Sequence, residues 1–470
     1  MSKVEHVEDI CPGSSPTTDI ADHHTETTLF ATLRHLLHVV PVAVFAAVVA
    51  VQIGYHSRQL ESPYGMRLGR NGGDGPFITV NLTKARYDSE GDLGAALSPL
   101  LACSRTIRRR GDPAYEPCRL YHGSGVRVRT FEDLITFSDN SFYLVPPDRH
   151  FMWPPIEVGH KTVAPQIKTT DGRSVIMETI SVSPKVFRVH NMLSEAEIDQ
   201  IIKEARESSK TEVSKRYRSH TNPQRTAEDW NAERSETVLA IRNRTFSMLA
   251  FEPDVPDTWA EPFEMLIYKP GKCFVLHDDY LDDEAIGDQS NEFDSRSELL
   301  GSNRFATTLF YFTDVDVGGE TVFANGENAA GTNGDKDDAI SKILSNSTEA
   351  DLLAAAGILP DSWEMGLLGT CRSKFSVRPQ RGSIVMFYNQ LAEGGIDRNA
   401  FHGGCPVISG EKIAANVIAW NGPTNLAPDE QVEEMMARQA FRADGLYDDG
   451  EVNDDPEEDG VNDEGEAEEE

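Results

Sequence analysis

Apolar positions fall into three regimes along the 470-residue chain, and each predicts a different kind of structure. The first is the run from Leu36 to Tyr55, LLHVVPVAVFAAVVAVQIGY, which contains no Lys, Arg, Asp or Glu. A helix rising about 1.5 Å per residue spans roughly 30 Å over such a run, the thickness of a bilayer's hydrocarbon core. It predicts a transmembrane signal anchor at 36–55 behind a disordered segment at 1–35. His38, Pro41 and Gln52 lie in its first turns or near its end, where a membrane helix tolerates them. A buried core helix fits less well, because both flanks are polar and the C-terminal one is Gly-rich. A cleaved signal peptide is the stronger rival; the long acidic stretch ahead of the run argues against it.

The second regime, 56–175, carries only short apolar stretches (Phe77 to Val80, Phe142 to Val145) among Gly, Pro and charged residues. It predicts a stem with a small β-rich region. Near Ser181 a third texture begins. Val186 to Val189 reads as a strand, and Leu193-Ser194-Glu-Ala-Glu197-Ile198 reads as a helix start. Ser194 fits the N-cap, Glu197 completes a capping box, and Leu193 faces Ile198 as a hydrophobic staple. Ile198, Ile201, Ile202 and Ala205 then recur at helical spacing.

From Phe263 the period becomes that of strands: Phe263–Tyr268, Phe305–Phe312, Thr321–Phe323, Ser383–Tyr388 and Ile413–Trp420, separated by Gly, Asp and Asn clusters. Several short strands so punctuated predict a sandwich or jelly roll. The stretch 326–369 interrupts them with acidic, Ala- and Leu-containing sequence and reads as a surface insertion with one or two short helices. The ordered domain is placed at 176–425, with a helix and an acidic disordered tail at 426–470.

Charge narrows the function classes. The net charge is −33, of which Asp448 to Glu470 contributes −14 without a single Lys or Arg. The remaining −19 excludes ordinary nucleic-acid binding, which needs a basic face to displace counterions. The tail reads as a solvated segment; a tether for basic partners or divalent cations is the sharper alternative. Six cysteines, Cys11, Cys103, Cys118, Cys273, Cys371 and Cys405, contain no C-x-x-C pair, which disfavours structural zinc and thioredoxin-type redox chemistry. Cys103 with Cys118, and Cys371 with Cys405, are candidate disulfides in an oxidising compartment.

The candidate chemistry starts at His277-Asp278-Asp279. On extended backbone, residues two apart share a face, so His277 and Asp279 can reach one point while Asp278 turns away. Alone, H-x-D is as well explained by a surface histidine. A second imidazole, His402, sits in Phe401-His402-Gly403-Gly404-Cys405-Pro406, a small-residue turn, and Lys412 follows at the entrance to the next β run. Two His and one carboxylate are the facial set of non-haem Fe(II) oxygenases, which leaves coordination positions open. A 2-oxo acid and dioxygen can take those positions, and Lys412 can neutralise a distal carboxylate that is costly to bury.

Tyr268-Lys-Pro-Gly271-Lys-Cys-Phe-Val-Leu-His277-Asp-Asp279 resembles the prolyl 4-hydroxylase family's Y-x-x-G-x-x-Y-x-x-H-x-D. Asn303-Arg304-Phe-Ala-Thr307, with Gly318-Gly319-Glu320-Thr321 after it, resembles that family's central strands. Arg381 to Phe387 and His402-Gly-Gly-Cys405-Pro406-Val-Ile-Ser-Gly410-Glu411-Lys412 resemble two more of its motifs, in order. The resemblance spans about 180–422. It implies a mainly β fold with flanking helices, a double-stranded β-helix (jelly-roll) catalytic domain behind an N-terminal transmembrane helix. It implies Fe(II) held by His277, Asp279 and His402, with 2-oxoglutarate held by Lys412, Tyr268 and Thr307. Dioxygen as oxidant, ascorbate as support and a Pro-rich peptide or protein as substrate follow from it too. Without it, Tyr268 and Thr307 read as ordinary strand packing.

The chain departs from the family at three places. Phe274 replaces a Tyr, and Ile413 and Ile418 stand where the family has Trp. These changes bear on peptide recognition more than on iron or 2-oxoglutarate. The same chemistry on another residue or a small molecule, or a silent binding module of the same fold, stays open at this level. The resemblance implies an endoplasmic reticulum or Golgi membrane with a lumenal catalytic domain. Arg58, Arg67 and Arg70 after the apolar run point the other way by the positive-inside tendency. The loop from Leu281 to Asn303, rich in Ser and acidic residues, reads either as a mobile lid over the peptide groove or as a plain surface loop.

Overall fold

The computed structural model describes residues 63–73, 75–84, 92–108, 113–147, 149–208, 228–232, 235–252, 255, 259–281, 302–326 and 334–422. The 36–55 run, the acidic tail and nearly all of the 281–303 loop lie outside them. Among the described residues no helix is long and apolar enough to cross a membrane.

The fold is mainly β with flanking helices. Its centre is an eight-stranded sheet. In spatial order the strands are Glu228–Asn231, Glu264–Tyr268, Lys412–Trp420, Arg304–Tyr311, Ile384–Tyr388, Val186–His190, Val175–Ser181 and Lys161–Ala164. A smaller four-stranded sheet runs Phe274–His277, His402–Gly404, Thr321–Phe323, Phe375–Val377. Neighbours in both sheets are antiparallel.

Strand alternation decides what each face buries. On the central strand Ile413, Ala415, Val417 and Ala419 enter one core, while Ala414 enters the other. The first core takes the apolar faces of helices Glu195–Ser208 (Ile198, Ile201, Ala205) and Glu236–Met248 (Val238, Ile241, Met248). The second lies between the two sheets and joins Leu266, Tyr311 and Val385 to Phe274, Phe323 and Val377. Two stacked sheets with side chains interdigitating between them leave a protected interior for a site.

The first of these helices starts as its sequence predicts. The Glu197 carboxylate accepts from the Ser194 backbone N–H at 2.8 Å, and the Glu197 N–H donates to Ser194 Oγ at 3.3 Å. Leu193 and Ile198 share the core beneath. Arg244 adds a buried ion pair to Glu197, which ties the two helices together.

Residues 63–145 hold the β-rich part of the region expected as stem and small β-rich segment. A separate five-stranded sheet, Ile78–Leu82, Tyr64–Arg70, Ser141–Val145, Arg119–His122, Arg127–Val128, closes over its own core of Met66, Leu68, Leu120, Phe131 and Phe142. Tyr121, Tyr143 and Phe151 to Trp153 belong instead to the core of the larger sheet. Trp153 donates its indole N–H to Met248 O at 2.8 Å and its backbone N–H to the Tyr388 hydroxyl at 2.9 Å. The apolar stretches at Phe77 to Val80 and Phe142 to Val145 mark two of these strands, but the parallel pairing of Tyr64–Arg70 with Ser141–Val145 joins segments too far apart for a local pattern to show.

The insertion departs from its sequence reading. Its described residues hold three helices, Lys336–Ser345, Ser347–Ala356 and Trp363–Ser373, where one or two were expected. Asp335, Asn346 and Ser362 cap them in turn, and those caps divide what composition alone reads as one helical stretch. Ile343, Leu353, Met365 and Leu368 pack with Val322 and Cys405. The insertion is therefore a cover on the outer face of the smaller sheet.

Both candidate disulfides form. Cys103–Cys118 has its Cα atoms 6.0 Å apart, and Cys371–Cys405 has them 6.1 Å apart. The second bond ties the last insertion helix to the strand that carries His402. On the chain-entropy relation, closing a loop of sequence separation 34 stabilises by about 4 kcal/mol. A Cys371→Ser/Cys405→Ser variant is expected to lose about that much stability, seen as a lower denaturant midpoint at unchanged slope. An unchanged midpoint would remove the disulfide's structural role.

Candidate metal and co-substrate site

His277 closes the Phe274–His277 strand and His402 opens the His402–Gly404 strand, and the two are paired directly across the smaller sheet. The Gly403-Gly404 stretch is thus a strand, where sequence reading put a turn. Its glycines serve close approach all the same: a Cβ on Gly403 would meet the Val275 and Phe274 carbonyl oxygens at 3.1 Å. Asp279 lies two residues past the strand end, in a bend. The imidazole centroids are 4.4 Å apart, and Asp279 reaches His277 Nε2 at 3.5 Å and His402 Nε2 at 3.8 Å. All three side chains are about 95% buried.

The donor chemistry suits a dication. His277 Nδ1 meets the Val275 carbonyl oxygen at 2.9 Å, and His402 Nδ1 meets that of Ala400 at 3.0 Å. A carbonyl only accepts, so both Nδ1 atoms carry the proton and both Nε2 lone pairs face the shared point. Burial pushes the His402 imidazolium down to about 4, and the neighbouring His277 adds to this. Burial alone would raise the Asp279 carboxyl, but the two imidazoles and Arg304 outweigh it and hold it well below the usual carboxylate range. The set offers one carboxylate oxygen and two imidazole nitrogens within 4.8 Å of one another. This fits Fe(II) with positions left open. Asp278 turns aside, as expected, toward Arg398 at 3.6 Å.

Lys412 lines the same cavity, as do Tyr268 and Thr307. It is 4% exposed and donates to the Gly319 carbonyl at 2.9 Å. Its ammonium stands 5.0 Å from the Tyr268 ring centre and 5.3 Å from that of Tyr311. Burial lowers the ammonium to about 8, partly offset by Glu320. Gly318 permits the turn that delivers the Gly319 carbonyl: its φ is +84°, and a Cβ there would sit 2.2 Å from the Pro406 oxygen.

Thr307 sits in this cavity but spends its proton on protein. Its hydroxyl donates to Asp279 Oδ2 at 2.5 Å, and Asn389 Nδ2 donates to it at 2.9 Å. Sequence reading missed Asn389, and it gave no role to Arg304 or Glu261. Arg304 grips Glu261 through two bonds of 2.6 and 2.9 Å and lies 3.8 Å from Asp279. Trp420 also donates to Glu261, at 2.8 Å. Arg304 stood inside a recognised motif, but nothing in the chain announced that Glu261 would meet it.

A buried two-histidine, one-carboxylate set between stacked antiparallel sheets defines a non-haem iron oxygenase site. Residues 263–420 match the 2OG-Fe(II) oxygenase superfamily. A probable prolyl 4-hydroxylase 8 of Arabidopsis thaliana is 30% identical over 242 residues, half of this chain and 68% of that protein. Probable prolyl 4-hydroxylase 6 of the same plant is 27% identical over 241 residues, covering 50% of this chain and 69% of its own. The viral collagen prolyl hydroxylase of Paramecium Bursaria Chlorella virus-1, solved with 2OG, aligns over 50% of this chain and 95% of that one. Its identity is 18% and its TM-score 0.31. The chain belongs to the prolyl 4-hydroxylase family of the 2OG-Fe(II) oxygenase superfamily, and it is a 2-oxoglutarate-dependent dioxygenase.

Proposed function

We propose that this dioxygenase hydroxylates peptidyl proline to 4-hydroxyproline in proteins of the secretory pathway. The observation that carries the reading is the buried triad with one buried lysine in the same cavity. The names of its relatives supply proline as target. The two stacked sheets support a double-stranded β-helix. Two disulfides favour an oxidising compartment, hence a lumenal catalytic domain on an endoplasmic reticulum or Golgi membrane, with 36–55 as its anchor.

In this reading His277, Asp279 and His402 hold Fe(II), which when bound couples oxidative decarboxylation of 2-oxoglutarate to hydroxylation of a C–H bond. Lys412 neutralises the distal carboxylate of the co-substrate. Tyr268, over whose ring the ammonium sits, helps to orient it, and Thr307 lines the same cavity with its hydroxyl proton held by Asp279. The aromatic walls exclude water from the buried charge pair and so strengthen it. Ascorbate keeps the metal reduced.

Turnover of 2-oxoglutarate, followed as succinate, is expected to rise when a Pro-rich peptide is added, with 4-hydroxyproline in the product. Succinate with no dependence on such a peptide would move the substrate to another residue or a small molecule. The Ile413, Ile418 and Phe274 departures bear on that second outcome. No succinate under any condition, with iron supplied, would leave a silent binding module.

A further inference from the structure

We propose that Asn389 is a positioning residue for the metal-ligating carboxylate, acting through the Thr307 hydroxyl. The inference rests on His277, Asp279 and His402 holding a divalent metal. Asn389 follows the Ile384–Tyr388 strand and is 1% exposed. Its backbone is fixed on both sides: its N–H donates to Phe305 O at 2.9 Å, and its carbonyl accepts from the Asp397 N–H at 2.9 Å. Its side-chain nitrogen lies 2.9 Å from Thr307 Oγ1, which lies 2.5 Å from Asp279 Oδ2.

One proton settles the direction of this chain. The 2.5 Å contact to Asp279 Oδ2 takes the single Thr307 hydroxyl proton, with the carboxylate oxygen as acceptor. The Thr307 oxygen is then an acceptor on its other side, and only the NH2 end of Asn389 can face it. Turning the amide over would set two acceptors against each other. The arrangement leaves Asn389 Oδ1 buried without a partner. An unsatisfied buried carbonyl is a cost that an apolar residue of similar shape would not carry. Retention of the amide is accounted for by what its other end does. Asn389 polarises the hydroxyl, the hydroxyl pins Oδ2, and the carboxylate's rotation is set before metal arrives. Outer partners of this kind orient ligands and tune affinity.

The test is Co(II) binding to the metal-free full-length protein, by calorimetry and by the visible absorption of bound Co(II). Thr307→Val and Asn389→Leu are each expected to weaken Co(II) roughly 10- to 100-fold and to alter the absorption bands. Thr307→Ser keeps the hydroxyl and is expected to stay within about threefold of the parent. The double variant Thr307→Val/Asn389→Leu should bind no more weakly than Thr307→Val, because Asn389 acts only through the hydroxyl. Asn389→Ser, too short to reach Thr307, repeats the measurement if leucine disturbs folding. Parent-like affinity and spectrum in a folded Asn389 variant would overturn the proposal, as would losses that add. A parent protein that binds no Co(II) would take the metal site with it, whereas a binding parent matched by its Asn389 variants sinks the relay alone.

Discussion

Asp279→Ala is expected to abolish succinate formation at any iron concentration. Asp279 supplies the one carboxylate of a buried set whose other two members are imidazoles. Without it a dication would sit against two neutral nitrogens with Arg304 close by, and its charge would stay uncompensated in a low-dielectric interior. His277→Ala and His402→Ala remove one ligand each and are also expected to abolish turnover. Their folds should hold better than that of Asp279→Ala, which also strips partners from Thr307 and Arg304. The check is succinate release with iron in excess, beside a thermal melt of each metal-free variant. Substantial turnover by any of the three would refute the assigned ligand set.

Lys412→Ala is expected to raise the KM for 2-oxoglutarate with little change in kcat at saturation. Removing one partner of a buried ion pair costs about 3–5 kcal/mol, or roughly 10²- to 10³-fold in affinity. A variant with unchanged 2-oxoglutarate dependence would contradict this role. The pH dependence has a definite sign. Burial lowers the Lys412 ammonium to about 8 in the free protein, and a bound carboxylate raises it again. Affinity for 2-oxoglutarate should therefore be full below about pH 8 and fall as pH rises past that value, up to the higher value of the bound state. The KM of the parent enzyme should climb above pH 8 while that of Lys412→Ala stays flat over the same range.

The main strands and the ligands were legible because their signals are local. The Lys412–Trp420 strand lies within one residue of its expected Ile413 start, since a near-continuous apolar run marks a strand buried on both faces. His277 and Asp279 were readable as a pair from their spacing of two, and His402 from its small neighbours. The helix start at Ser194 was written in two residues three apart. Less was readable where partners are distant. Residues 63–145 contain a parallel pairing of Tyr64–Arg70 with Ser141–Val145, across some seventy residues that no periodicity connects. The insertion's composition announced helices, but its caps and the Val322 and Cys405 surface it covers determined their number and position.

The iron set shows the same division. The sequence by itself determined which atoms are available: two imidazoles, one carboxylate and one lysine, on strands or just past a strand end. Tertiary structure alone decided their protonation and aim. The Val275 and Ala400 carbonyls orient the two imidazoles, Thr307 and Asn389 orient the carboxylate, and the Gly319 carbonyl with two aromatic rings seats the lysine. Spacing along a chain fixes which side chains share a face, but burial and hydrogen-bond direction arise only when strands far apart in sequence close around one point.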